Sequence, residues 1–210
     1  MINTEECLLF LKEIILQAGL KVLEIYQSKD FEIKTKNDNS PLTKADLISH
    51  ETICKALLKN YPTIPILSEE SCDSFSVLNS ISLFWCIDPI DGTKEFIKRN
   101  DEFTINIALI SNKKPIMGLI YAPALDQLYY ASKGKGSFFE TKKLSKKIIA
   151  KKADKNHLIF AVSRSHISEQ THNFLDLFEN NSIKNIGSSL KLCGVAMGEV
   201  DCYPRLGPTS

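Results

Sequence analysis

WCIDPIDGTKEF, residues 85–96, sets two carboxylates three positions apart: Asp88 and Asp91, with Pro89 between them and Gly92 and Thr93 directly after. The preceding run 83–87 is apolar and reads as a buried strand that ends at Asp88. Pro89 fixes φ and Gly92 permits a sharp bend, so the composition predicts a turn carrying both aspartates. In a regular strand, positions three apart would face opposite ways. The turn is what lets both carboxylates converge, with the carbonyl of Ile90 pointing in as a third oxygen. Upstream, Ile64, Pro65, Ile66 and Leu67 read as a short strand that delivers Glu69 and Glu70 at its carboxyl end.

Further out, Leu8, Leu11, Ile15, Ala18, Val22 and Ile25 recur at three- and four-residue steps and predict a first helix. A second is expected over 43–60, with Leu47, Cys54, Leu57 and Leu58 as its apolar side and Tyr61-Pro62 as its stop. Strands at 103–110, 116–121 and 127–131 read as a meander. The stretch 141–154 is crowded with Lys142, Lys143, Lys146, Lys147, Lys151 and Lys152, and reads as a solvated linker or a strand edge guarded by lysine. Beyond it the pattern predicts strands at 158–162, 182–186 and 200–203, with helices at 168–178 and 188–198. The expected architecture is α+β, with an N-terminal metal-binding unit at 1–154 and a partial α/β unit at 155–210.

A net charge of +1 over 210 residues supplies no field for nucleic acid. The six cysteines are scattered and the chain shows no secretory leader, which predicts reduced thiols in a cytoplasmic protein. Four widely spaced histidines do not form a zinc pattern. Nothing approaches the length of a membrane span.

Gathered aspartates are costly unless a cation neutralises them, and hard oxygen ligands suit magnesium, which commonly takes phosphate oxygens as well. Glu69 or Glu70 would complete a two-metal pocket, so these residues predict a magnesium-dependent phosphatase. The plain alternative makes them turn and cap residues. Thr43 and Asp46 have the spacing of a capping box. Asp46 could equally back Thr93, whose hydroxyl alone is a poor base for activating water. In the second unit, Ser188 and Lys191 of GSSLK open a helix after a strand, and Ser163 and His166 of SRSH follow another strand. Both places suit a phosphate or a plain surface turn.

Taken together, NSPLTKAD (39–46), LSEE (67–70), DPIDGTKEFIKR (88–99), FTINIALI (103–110), GLIYAP (118–123), SRSH (163–166), GSSLK (187–191) and YPRLGPT (203–209) resemble the inositol monophosphatase superfamily of lithium-sensitive phosphatases. Within it they resemble the bacterial 3'(2'),5'-bisphosphate nucleotidase branch. The resemblance implies a layered α-β-α-β-α fold and magnesium held by Glu69, Asp88, the Ile90 carbonyl and Asp91. Glu70 would stand behind the metal ligands or assist a metal-bound water, with Thr93 and Asp46 orienting and deprotonating the nucleophile. The amides of Gly92 and Thr93 would hold the scissile phosphate, and Ser163, His166, Ser188 and Lys191 would face a bisphosphate nucleotide. The implied reaction converts adenosine 3',5'-bisphosphate to AMP and phosphate. Members of the superfamily continue past GPT into a tryptophan–aspartate segment that supplies another metal ligand, whereas this sequence stops at Ser210. The expectation is therefore incomplete C-terminal layers and little activity if that end is genuine. An inositol or sugar phosphate monophosphatase and an inactive nucleotide-binding remnant are the alternatives. A weak peripheral contact of the lysine stretch with the inner membrane is also implied.

Overall fold

The computed structural model describes residues 3–28, 31–35, 41–71, 81–164 and 167–207. Helix α1 (Thr4–Ser28) buries Leu11, Ile14, Ile15, Ala18 and Val22, the face its apolar spacing dictates. Two short strands, β1 (Lys34–Thr35) and β2 (Pro41–Leu42), pair antiparallel before helix α2 (Lys44–Asn60). The buried face of α2 differs from the expected one. It consists of Ala45, Asp46, Ser49, Ile53 and Leu57, while Leu47 and Leu58 stay exposed. Two members of that face are polar and hydrogen-bonded, which disguised it as the outward side.

Next come β3 (Ile66–Ser68), β4 (Leu83–Asp91), α3 (Thr93–Lys98), β5 (Thr104–Ser111), β6 (Lys114–Ala122), β7 (Gln127–Ser132), β8 (Gly136–Glu140) and β9 (Ser145–Ile148). They form a seven-stranded sheet in the order β3-β4-β5-β6-β7-β8-β9, antiparallel except for the β3–β4 pair. Helices α1 and α2 pack together against it, α1 on β6 and α2 on β4. Trp85, Phe96, Phe103, Ile105 and Leu109 are sealed inside this main core. The lysine-rich stretch is partly the edge strand β9, with Lys146 and Lys147 opposite Phe139 and Phe138. A charged edge of this kind discourages pairing with a further strand.

The chain then starts a separate sheet. Strand β10 (Leu158–Ser163) pairs in parallel with β11 (Asn181–Ile186) across helix α4 (Glu169–Leu175), and helix α5 (Leu190–Met197) follows. Phe160, Val162 and Leu175 form a second, smaller core with Phe174 and Phe178 around it. The strand expected at 200–203 is instead a single bridge between Cys202 and Phe160. The whole is an α+β arrangement of alternating helical and sheet layers. No helix among the described residues is long and apolar enough to cross a membrane.

Candidate active site

The two aspartates do not sit in a turn after β4: the strand runs through to Asp91. Asp88 pairs with Asn106 and Asp91 with Thr104, so three steps along β4 match two along β5. One residue is extra, and the ladder absorbs it as a bulge at Pro89 and Ile90. Asn106 and Thr104, two apart, share a face of β5, so the bulge brings Asp88 and Asp91 to one side. Proline is tolerated there because a bulge needs no ladder donor from it. The Pro89 carbonyl accepts from Ser49 Oγ of α2 at 2.9 Å, and the Ile90 carbonyl accepts from Thr93 Oγ1 at 3.3 Å.

This convergence carries a charge problem. Burial pushes the Asp88 carboxyl well above the usual carboxylate range, and Asp91, Glu69 and Asp46 push it in the same direction. Asp88 Oδ1 is shut away from solvent and meets no hydrogen-bond donor among the described residues. Asp91 is also raised, chiefly by burial, with Lys191 and a hydrogen bond from the Ser189 backbone pulling it partly back. Glu69 and Glu70 lie in the turn after β3, where Glu69 N–H donates to the Ile87 carbonyl at 3.1 Å and Ser71 closes the turn onto Ser68. Among the described residues no three acidic, histidine or cysteine side chains close into a ready-made metal cage. An orphaned buried carboxylate oxygen beside two more carboxylates nevertheless fits a divalent cation with oxygen preference.

Asp46 divides its two oxygens between roles that the sequence left as alternatives. Oδ2 accepts from the Thr43 amide at 2.8 Å and the Thr43 hydroxyl at 2.6 Å, completing a capping box at the start of α2. Oδ1 faces Thr93 Oγ1 at 3.4 Å. Gly92 has φ +89, and a Cβ there would stand 3.2 Å from the Ser188 Cβ and 3.3 Å from the Glu102 carbonyl. Gly92 is thus where the DGT segment and the 187–191 loop come together. Lys191 Nζ donates to the Ser188 carbonyl at 2.6 Å and lies over the Tyr203 ring at 5.3 Å, and burial lowers its pKa. Ser163 ends β10 beside Ile186 of β11. His166 falls outside the described residues.

The inositol monophosphatase family pattern matches residues 3–210. The chain belongs to the inositol monophosphatase family. It is 42% identical over 194 residues to the 3'(2'),5'-bisphosphate nucleotidase CysQ of Salmonella typhimurium, covering 92% of this chain and 78% of that protein. It is 41% identical over 196 residues to the enzyme of the same name from Buchnera aphidicola, covering 91% and 72%. Among solved structures it is similar to CysQ from Bacteroides thetaiotaomicron, at a TM-score of 0.85 and 38% identity over 99% of this chain and 82% of that one.

This inositol monophosphatase family member also uses residues the sequence reading passed over. Glu102 accepts from Arg164 Nε and Nη2, both at 2.8 Å, and from the Gly187 amide at 2.7 Å, tying the large sheet to the small one. A Cβ on Gly187 would come within 2.8 Å of Glu102, so only glycine fits there. Ser189 Oγ reaches Asn106 Oδ1 at 2.9 Å and Thr104 Oγ1 at 2.7 Å. Two polar residues at i and i+2 in the otherwise apolar run FTINIALI were the available signal. Between the sheet face and α5 lies a cavity of about 480 Å³, apolar along Ile107, Leu119 and Leu192 and polar where Asp88, Asn106 and Ser189 meet.

Proposed function

We propose that this protein is a magnesium-dependent 3'(2'),5'-bisphosphate nucleotidase that hydrolyses adenosine 3',5'-bisphosphate to AMP and phosphate. The observation that carries the reading is the buried Asp88 carboxyl, which shares a hydrogen bond with Glu69 and whose Oδ1 meets no donor among the described residues, set among Asp91 and Glu69. Glu69, Asp88, Asp91 and the Ile90 carbonyl are the residues that would hold the metal. Magnesium, when bound, supplies positive charge to the phosphate and makes a water more acidic.

The Thr93 hydroxyl has the Ile90 carbonyl at 3.3 Å and Asp46 Oδ1 at 3.4 Å as alternative acceptors; turned to Asp46, it leaves its oxygen able to accept a proton from the attacking water, and Asp46 takes up the proton that Thr93 gives away. Glu70 assists the same water. The Gly92 and Thr93 amides hold the phosphate undergoing attack. Ser163, His166, Ser188 and Lys191 hold the nucleotide and its second phosphate. Water attacks phosphorus directly, the bond to the 3'-oxygen breaks, and that oxygen takes a proton from a second water as AMP leaves, Asp46 later returning its proton to solvent. A cysteine nucleophile does not compete, because burial pushes the Cys86 thiol up and the Cys193 thiol to about 12.

The reading treats 1–154 as the metal-binding unit and 155–210 as part of the nucleotide-binding unit, meeting at Glu102 and Gly187. The protein is placed in the cytoplasm, with any membrane contact peripheral and through the lysines around β9. The deciding measurement is phosphate release from adenosine 3',5'-bisphosphate and from inositol 1-phosphate, in magnesium with and without lithium. The expected result is lithium-sensitive release from the nucleotide, and a clear preference for inositol 1-phosphate overturns the assignment.

A further inference from the structure

Ser189 lies between the two halves of the site. Its hydroxyl carries one proton, and that proton goes to Asn106 Oδ1 at 2.9 Å. At the 2.7 Å contact with Thr104, the threonine is therefore the donor and Ser189 the acceptor. The hydrogen bonds run in one direction, from Thr104 through Ser189 to Asn106. Thr104 is fully buried, and these same two residues are the ladder partners of Asp91 and Asp88. The Ser189 backbone in turn hydrogen-bonds the Asp91 carboxyl. A carboxylate and a loop residue are thus registered on the same two rungs of β5.

The loop has little freedom of its own. Ser188, the preceding residue, is held at φ +45, a conformation a serine adopts only when its neighbours enforce it. Lys191, two residues further on, closes back onto the Ser188 carbonyl. Fixing Ser189 therefore fixes the positions of Ser188 and Lys191. We infer that Ser189, with Thr104 and Asn106, is a positioning relay that ties the 187–191 loop to Asp91, so that a divalent cation and a nucleotide phosphate each tighten binding of the other. This rests on the function proposed above. Such coupling must be reciprocal: the factor by which one ligand helps the second equals the factor by which the second helps the first.

The test is calorimetric titration of magnesium into the chain, alone and with saturating AMP, the product, which is not turned over. Ser189→Ala removes the hydroxyl, Ser189→Thr keeps it, and Asn106→Ala removes only the acceptor. In the unaltered protein AMP is expected to tighten magnesium binding severalfold. Ser189→Ala weakens magnesium binding by about tenfold and brings the AMP effect close to nil. Asn106→Ala does the same to a smaller extent, and Ser189→Thr restores both. Melting temperatures in EDTA stay close to one another, which separates positioning from general loss of structure. If Ser189→Ala does not fold, Asn106→Ala decides by the same two readouts. Unchanged magnesium affinity and unchanged AMP coupling in the alanine variants overturn the relay while leaving the proposed activity standing. A failure of Ser189→Thr to restore either quantity also overturns it. An unaltered protein that binds no magnesium removes both the relay and the nucleotidase reading.

Discussion

Replacing Asp88 by asparagine should make the metal-free protein more stable. In the native fold this carboxyl is buried, repelled by Asp91 and Glu69, hydrogen-bonded to Glu69, and has one oxygen without a donor among the described residues. A buried charge without compensation costs several kcal/mol, part of which the protein recovers by taking up a proton. Asparagine keeps the shape, is neutral without having to take up a proton, and offers an N–H₂ towards the remaining carboxylates. The expected gain is about 2 kcal/mol, or about 4–8 °C for a chain of this size. The pH dependence fixes the cause. Because the native pKa is raised, the folded protein holds a proton that the unfolded chain has already released above about pH 4. Stability therefore falls as pH rises from there towards the raised native value, and Asp88→Asn should flatten that slope. Magnesium reverses the ranking. A site occupied at a hundredfold excess over its dissociation constant gains about 2.7 kcal/mol, most of which the variant forfeits. Urea denaturation at pH 7 in EDTA and in magnesium, with EDTA melts from acid to alkaline pH, supplies every quantity. A variant less stable than the parent in EDTA, or one that magnesium stabilises equally, refutes the reasoning.

Gly92→Ala should cost about 1–2 kcal/mol through its φ of +89, and the displaced Ser188 should lower kcat/KM further than the shift in urea midpoint explains. Phe96→Ala should cost about 3–5 kcal/mol, because its fully buried ring stands among Tyr26, Phe31 and Phe103; a urea titration measures it, and a loss below 1 kcal/mol contradicts the packing. Lys191→Met should raise KM for the bisphosphate by about tenfold or more with a smaller change in kcat, which steady-state kinetics separate directly.

The carboxylates at 88 and 91 were legible because aspartates beside a proline and a glycine have few reasons to be there, and Glu69 because it follows a short apolar run. Their backbone was not. Proline and glycine argued for a turn, yet pairing with β5 continues to Thr104, since a bulge spares the proline the ladder bond it cannot make. The same limit applied to α2, where periodicity favoured Leu47 and Leu58 over a buried face containing Asp46 and Ser49. Strand β8 went unread, being short and beginning at Gly136, and β9 was foreseen only as one alternative, the lysine-guarded strand edge, since three of its four residues are exposed. In the site, Thr93 and Asp46 could be paired from their chemistry. Ser189 and Asn106 could not, because 83 positions separate them and only the folded ladder brings them together.

The bulge makes the placement of Asp91 a matter of counting. Three regular steps would turn Asp91 half a turn away from Asp88 about the strand axis, and the one extra residue at Pro89 and Ile90 undoes that rotation. The tight packing of Trp85 and Ile87 below is untouched by such a change. Straightening the bulge while keeping all three steps, so that Asp91 slipped past Thr104 to stand opposite Phe103, would keep the hydrophobic foundations of β4 while aiming Asp91 towards the helices, giving a well-folded molecule whose ion pocket has been turned inside out.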